Sequence, residues 1–206
     1  MSSLVYTADT LAATPTIGAT EFDGKAFYAT PQGTQRGVIP GAQFYRLNAD
    51  FAGTTATTAQ NLFGVGVTLS TSTIYAFEIE AGMVKTAGAT SHTISLSFAG
   101  SATLNNIFYT AAVSYNNASG TFIVNNTQGL GYVSTASATA LTNASASAAN
   151  TAALLIKGTV SINGGGTFIP QYTQGSTGAY STVAGSYFNI YPIGTSGANI
   201  SVGAWA

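Results

Sequence analysis

Between Ile74 and Val84, Tyr75, Phe77, Ile79, Ala81 and Met83 alternate with Ala76, Glu78, Glu80 and Gly82. A period of two marks a strand with one buried face, because successive side chains leave the backbone on opposite sides. The same alternation recurs at Thr93–Phe98, where Ile94, Leu96 and Phe98 oppose Thr93, Ser95 and Ser97. Further short apolar runs predict strands at Phe44–Leu47, Leu62–Leu69, Ile107–Val113, Thr121–Val124, Leu154–Ile162, Phe168–Tyr172, Tyr187–Ile193 and Ile200–Trp205. Turn-forming clusters separate them, among them Thr71-Ser72-Thr73, Ala87-Gly88-Ala89, Asn116–Gly120, Asn163–Gly166 and Gly194–Gly197. Many short strands so punctuated, with no convincing helical period, predict an all-β chain folded as a β-sandwich or jelly roll. In the low-complexity stretch Ser134–Thr151, alanine favours a helix while serine, threonine and asparagine oppose one, so a helix and a surface excursion are both open.

Charge is the second constraint. Only 5% of the 206 residues are Asp, Glu, Lys or Arg, against roughly 25% in an ordinary globular domain. From Thr86 onward the one formally charged side chain is Lys157. A monomer normally relies on surface charge for solubility and for keeping apart from its neighbours. A strand-rich chain without it is expected to cover much of its surface in an assembly, or to present a neutral skin of hydroxyls and amides. With a net charge of −1 and no basic stripe, the chain lacks the cations that nucleic acid or an anionic membrane surface would require. There is no cysteine, hence no disulfide, thiolate metal site or cysteine nucleophile. No run of 18 apolar residues occurs, so no membrane insertion is expected. The start Met1-Ser2-Ser3-Leu4-Val5-Tyr6 lacks the basic and apolar regions of an export signal, and synthesis in the cytoplasm with a final location set by assembly is expected.

Residues 1–40 differ from the rest. Asp9, Glu21, Asp23, Lys25 and Arg36 are five of the eleven formal charges, and Pro15, Pro31 and Pro40 are three of the five prolines. This composition predicts an extended N-terminal arm with turns, followed by a β-sandwich domain over 41–206. Within the arm, Glu21-Phe22-Asp23-Gly24 signals a hairpin, and Ala26–Ala29 a short strand closed by Pro31.

Few residues offer chemistry. Glu78 and Glu80 share one strand face, about 6.5–7 Å apart at about 3.3 Å per residue. That reaches the lower edge of the spacing in inverting glycosidases; the alternative is a solvent or inter-subunit face where they pair with Lys85 or Arg46. His92 is the one histidine, without a ligand-spaced companion, and reads best as a hydrogen-bonding turn residue. Asn163-Gly164-Gly165-Gly166-Thr167 lacks the lysine and hydroxyl of a phosphate loop and reads as a hairpin turn. The aromatics Tyr172, Tyr180, Tyr187, Tyr191 and Trp205 cluster toward the C-terminus, suited to stacking on sugars or to filling a core or subunit interface. No catalytic residue, metal site or cofactor is assigned.

Two blocks carry a family resemblance. Thr14-Pro15-Thr16-Ile17-Gly18-Ala19-Thr20-Glu21-Phe22-Asp23-Gly24-Lys25-Ala26-Phe27-Tyr28-Ala29-Thr30-Pro31 resembles the TPTAGxxE(Y/F)DGxx(F/Y)YxTP linker of phage fibre-like virion proteins. Gln35–Leu47 continuing through Thr90–Ile94, then Gly165–Tyr172 and Gly185–Gly194, look like the terminal domain that follows this linker. The resemblance implies a jelly-roll-type homotrimer displayed on a tailed-phage particle. Its partners would be further copies of itself, the major capsid protein or another virion protein, or a host-surface glycan. Only Met1–Ala13 precede the linker, which favours a short capsid decoration, cement or head-fibre protein over a tail-fibre tip. On this reading Glu21, Phe22, Asp23, Phe27, Tyr28 and Arg36 are the attachment residues.

Overall fold

The structure, a computed structural model, describes residues 3–87, 93–116, 128–141, 151–197, 199, 201–203 and 205. Among these residues every regular element is a strand, and every strand pairing is antiparallel. Strands β1 (Thr20–Phe22), β2 (Phe27–Gln32) and β3 (Gln35–Ile39) come first. Four short ones follow: β4 (Gln43–Arg46), β5 (Phe51–Ala52), β6 (Gln60–Asn61) and β7 (Val67–Leu69). Next are β8 (Thr73–Ala87), β9 (Ile94–Ala99), β10 (Thr103–Asn116), β11 (Gln128–Val133) and β12 (Thr139–Ala140). The chain closes with β13 (Thr151–Gly164), β14 (Gly166–Gln174), β15 (Ala179–Thr182) and β16 (Tyr187–Thr195).

The fold is a two-sheet sandwich. In the eight-stranded sheet β8 is central. One of its edges pairs with β13, beyond which lie β10 and β11; the other pairs with β16 along its first half and β15 along its second, flanked by β4 and β5. The five-stranded sheet runs β12-β9-β14-β6, with β7 also on β14. The alternation read at β8 and β9 holds: Tyr75, Phe77, Ile79, Ala81 and Met83 are buried on the inner face, opposite Ile94, Leu96 and Phe98. Rings from both sheets meet in the middle. Phe98 and Phe168 stack at 4.8 Å, while Phe77 meets Phe98 edge-on at 5.4 Å and Phe168 at 6.1 Å. Such pairs add about 0.5–1.5 kcal/mol each beyond area burial, and they sit within the one buried cluster that joins the two layers.

Several sequence expectations shift. The N-terminal region is less an extended arm than a folded unit: β1, β2 and β3 form their own three-stranded sheet. The expected hairpin at Asp23 is present, with Asp23 Oδ1 accepting the N–H groups of Lys25 at 2.8 Å and Ala26 at 2.7 Å. Pro31 does not close β2, which runs on to Gln32; the β2–β3 register shifts between Ala29 and Gln32, so the proline, which has no N–H, has no ladder partner to satisfy there. The expected strand Leu62–Leu69 shortens to β7, because Leu62 and Phe63 turn into the core as irregular backbone. The glycine run after Asn163 is not a hairpin. It carries the chain from β13 in one sheet to β14 in the other, and a Cβ at Gly166 would lie 2.6 Å from the Ala102 nitrogen. Residues 201–203 and 205 carry no strand. Thr121–Val124 and His92 lie outside the described residues, as does 142–150 of the low-complexity stretch, whose described part contains β12.

Candidate functional site

Because β8 directs its odd-numbered side chains into the core, Glu78 and Glu80 stand on the outer face of the large sheet. Register then chooses their neighbours. Glu78 lies between Lys157 of β13 and Asn189 of β16, and Glu80 between Leu155 and Tyr187. The Tyr187 hydroxyl donates to Glu78 Oε1 at 2.8 Å and also lies 3.2 Å from Glu80 Oε2; its single proton serves one carboxylate at a time. Lys157 Nζ stands 3.1 Å from Glu78 Oε2. Phe44, on β4, stacks on the Tyr187 ring at 5.2 Å and 23°. The result is an open platform with an aromatic pair at one side and a tyrosine-bridged carboxylate pair at the other.

The electrostatics follow from these contacts. The Tyr187 hydrogen bond, then Lys157, holds the Glu78 carboxyl below its usual 4.5. Tyr187 is pushed up to about 12, chiefly because ionising it would cost the hydrogen bond to Glu78. A glycosidase general acid needs a raised carboxyl, and Glu78 moves the other way. The partners considered from sequence are replaced: Lys85 follows the inward parity of Met83 and is buried, and Arg46 bonds Asn48 Oδ1 at 2.7 Å. Among the described residues no group of three or more His, Cys, Asp or Glu side chains is placed to hold a metal ion.

The sign of the pH response is fixed by that direction. With its folded value depressed, Glu78 contributes stability above pH 4.5 that is lost as pH falls through the lowered value. The contribution is small, because the pair is solvent-exposed. Tyr187→Phe is expected to move the Glu78 titration back up toward 4.5, read by carboxyl-resolved NMR; an unmoved titration would assign the shift to Lys157 alone.

The residues singled out in the N-terminal region come together, but on one another. Arg36 grips Glu21 through Nε at 2.8 Å and Nη2 at 3.1 Å, and both side chains also bond the Ala12 backbone. The Ala12 N–H foremost, with Arg36, holds the Glu21 carboxyl below its ordinary value. Tyr28 donates to Asp23 Oδ2 at 2.9 Å, and burial, then this carboxylate, pushes the phenol upward. Phe22 stacks on Phe27 at 4.5 Å, with Tyr6 edge-on at 5.6 Å. These groups hold the small sheet together. Beside it, a polar cleft of about 670 Å³ lies against the end of β16, lined by Asp23, Tyr28 and Arg36 together with Thr14, Thr195 and Ser201.

The C-terminal aromatics divide. Tyr172 and Tyr180 are core residues, edge to face at 6.4 Å, so neither is available for stacking on a sugar. Tyr187 and Tyr191 share the outer parity of β16, and Trp205 is exposed with its Nε1 donating to Val202 O at 2.6 Å. Sequence reading missed an outer-face set: Phe44, Phe108, Leu130, Tyr132 and Leu155, all exposed. Its signal is an apolar residue at both parities of one strand, as with Ile107 beside Phe108 and Leu154 beside Leu155.

These features define an all-β sandwich with an outer face that is partly aromatic and carries a small charged cluster at Glu78, Glu80 and Lys157. Comparison with known protein families, with curated proteins and with solved structures returns no match.

Proposed function

We propose that this chain is a non-enzymatic structural protein of a bacteriophage particle: a homotrimeric capsid decoration, cement or head-fibre protein attached through its N-terminal region. The observation that carries the reading is the outer face of the large sheet, where exposed Phe, Tyr and Leu side chains stand beside a small group of charges centred on Glu78, Glu80 and Lys157. Apolar surface of that kind stabilises a complex when covered, and neutral hydroxyls and amides around it avoid the desolvation cost of burying charge. The linker-like block Thr14–Pro31 supports placing the attachment in the N-terminal region, and jelly-roll connectivity belongs to the same reading. The attachment partner would be the major capsid protein or another virion protein. Antibody against this chain is expected to label the heads of intact particles; label confined to the tail, or absent from the particle, would overturn the proposal.

A second reading, a fibre-tip module recognising host-surface glycan, is favoured by the Phe44–Tyr187 stack beside Glu78 and Glu80. Rings present an apolar face to a pyranose while carboxylates accept from its hydroxyls. It predicts glycan binding that is lost in Phe44→Ala and Tyr187→Ala, with label at the tail.

A further inference from the structure

The strand register gathers four apolar side chains at one corner of the outer face. Leu130, Ala112 and Leu155 lie in one cross-strand row over β11, β10 and β13; Tyr132, Thr110 and Lys157 lie in the next, and Phe108 and Thr159 in a third. Leu130 is 80% exposed, Tyr132 75%, Leu155 51% and Phe108 48%. Phe108 and Tyr132 stack on each other at 6.1 Å and 22°. Lys157 is the one formal charge in these rows, and it is drawn to Glu78.

We infer that this corner, the outward faces of β10, β11 and β13, is a contact surface for a second copy of this chain. It rests on the assembly half of the proposed function and names the surface involved; the site on the particle plays no part in it. The area is of the right order. Taking about 200 Å² for a whole large side chain, the four expose about 500 Å², well over half of the ~800 Å² each partner buries in a stable interface. Thr110, Thr159 and the Lys157 ammonium supply polar groups around this patch. Among the described strands, β11 pairs on one side only, with β10, so no described strand covers the backbone edge Gln128–Val133 beside the patch. A strand edge without a described partner and an exposed apolar face at one corner are features a protein normally covers. Another copy brings a face equally short of charge, so no unpaired ion is desolvated on docking. Nucleic acid or an anionic bilayer would need cations that these rows do not supply.

The test is the solution mass of the full chain. Sedimentation equilibrium is expected to give a multiple of 20.8 kDa for the wild type and 20.8 kDa for the Leu130→Asp/Tyr132→Asp double variant, with far-UV circular dichroism unchanged. Phe44→Asp, at the opposite end of the outer face, is expected to keep the wild-type mass. In the wild type, hydrogen exchange at Gln128–Val133 should slow as concentration rises, a readout that needs no variant. A wild type monomeric throughout, a folded double variant that keeps its mass, or dissociation caused by Phe44→Asp instead would each overturn the inference. Head labelling of particles by a chain that is monomeric in solution would sink this surface while leaving the virion reading in place.

Discussion

Truncating Phe168 to alanine is expected to lower the unfolding free energy by about 3–5 kcal/mol, the range for removing a buried phenylalanine. The ring is almost wholly buried and nearly parallel to Phe98, at 5° and 4.8 Å. It also contacts Phe77 and Phe188 of the opposite sheet, with ring centres 6.1 and 6.4 Å away. Its loss removes apolar burial and several ring pairs together, and the cavity left cannot close without drawing the sheets toward each other. In a chain of this length each kcal/mol shifts Tm by roughly 2–4 °C, so a fall of roughly 10 °C is anticipated. A drop of only a degree or two in a thermal melt would mean that Phe168 does not join the layers.

Gly158→Ala is the second large effect. Gly158 lies in β13 between Tyr109 of β10 and Phe77 of β8. It has the inward parity of Ile156, yet two rings already occupy the space above it. A Cβ there would run into the Phe108 carbonyl oxygen and come within 2.6 Å of Tyr109 Cβ and 2.8 Å of its Cα. These are backbone or backbone-adjacent atoms that cannot rotate away, so β10 must shift against β13. Overpacking of this kind costs about 1–3 kcal/mol, and the upper part of that range is expected because the obstruction is backbone. Gly131→Ala is the matched control: nothing lies within 4 Å of its Cβ position, and a near-neutral melt is expected. If the two glycine variants melted together, the close fit at Gly158 would not be a structural constraint.

Much of the site was half legible. Glu78 and Glu80 follow from the alternation of β8 as two carboxylates on one outward face. Their true companions do not, because Lys157 and Tyr187 are distant in sequence and meet the glutamates only through β13 and β16 lying on either side of β8. The nearer cations, Lys85 and Arg46, had the better local claim and lost it to parity and register. The C-terminal tyrosines show the same limit: the sequence around Tyr172 and Tyr187 is similarly rich in Gly, Asn, Gln, Ser and Thr, yet one faces the opposing sheet and the other faces away. In the N-terminal region, Asp23-Gly24 announced its turn, whereas the contacts of Arg36 with Glu21 and Ala12 join residues 15 and 24 positions apart and follow only from the folding of β1 to β3 into one sheet.

By itself the sequence determined that the chain is all β, where most long strands run, which face of β8 and β9 is buried, and that its charges are few. Those properties are local, since period-two alternation and turn residues act over a few positions. Only the tertiary structure decided which strands share a sheet, that the run at Gly164–Gly166 crosses between layers, and that Phe108, Leu130, Tyr132 and Leu155 converge on one exposed corner. Those outcomes depend on register between segments far apart in the chain, where a slip of one residue would exchange the two faces of a strand.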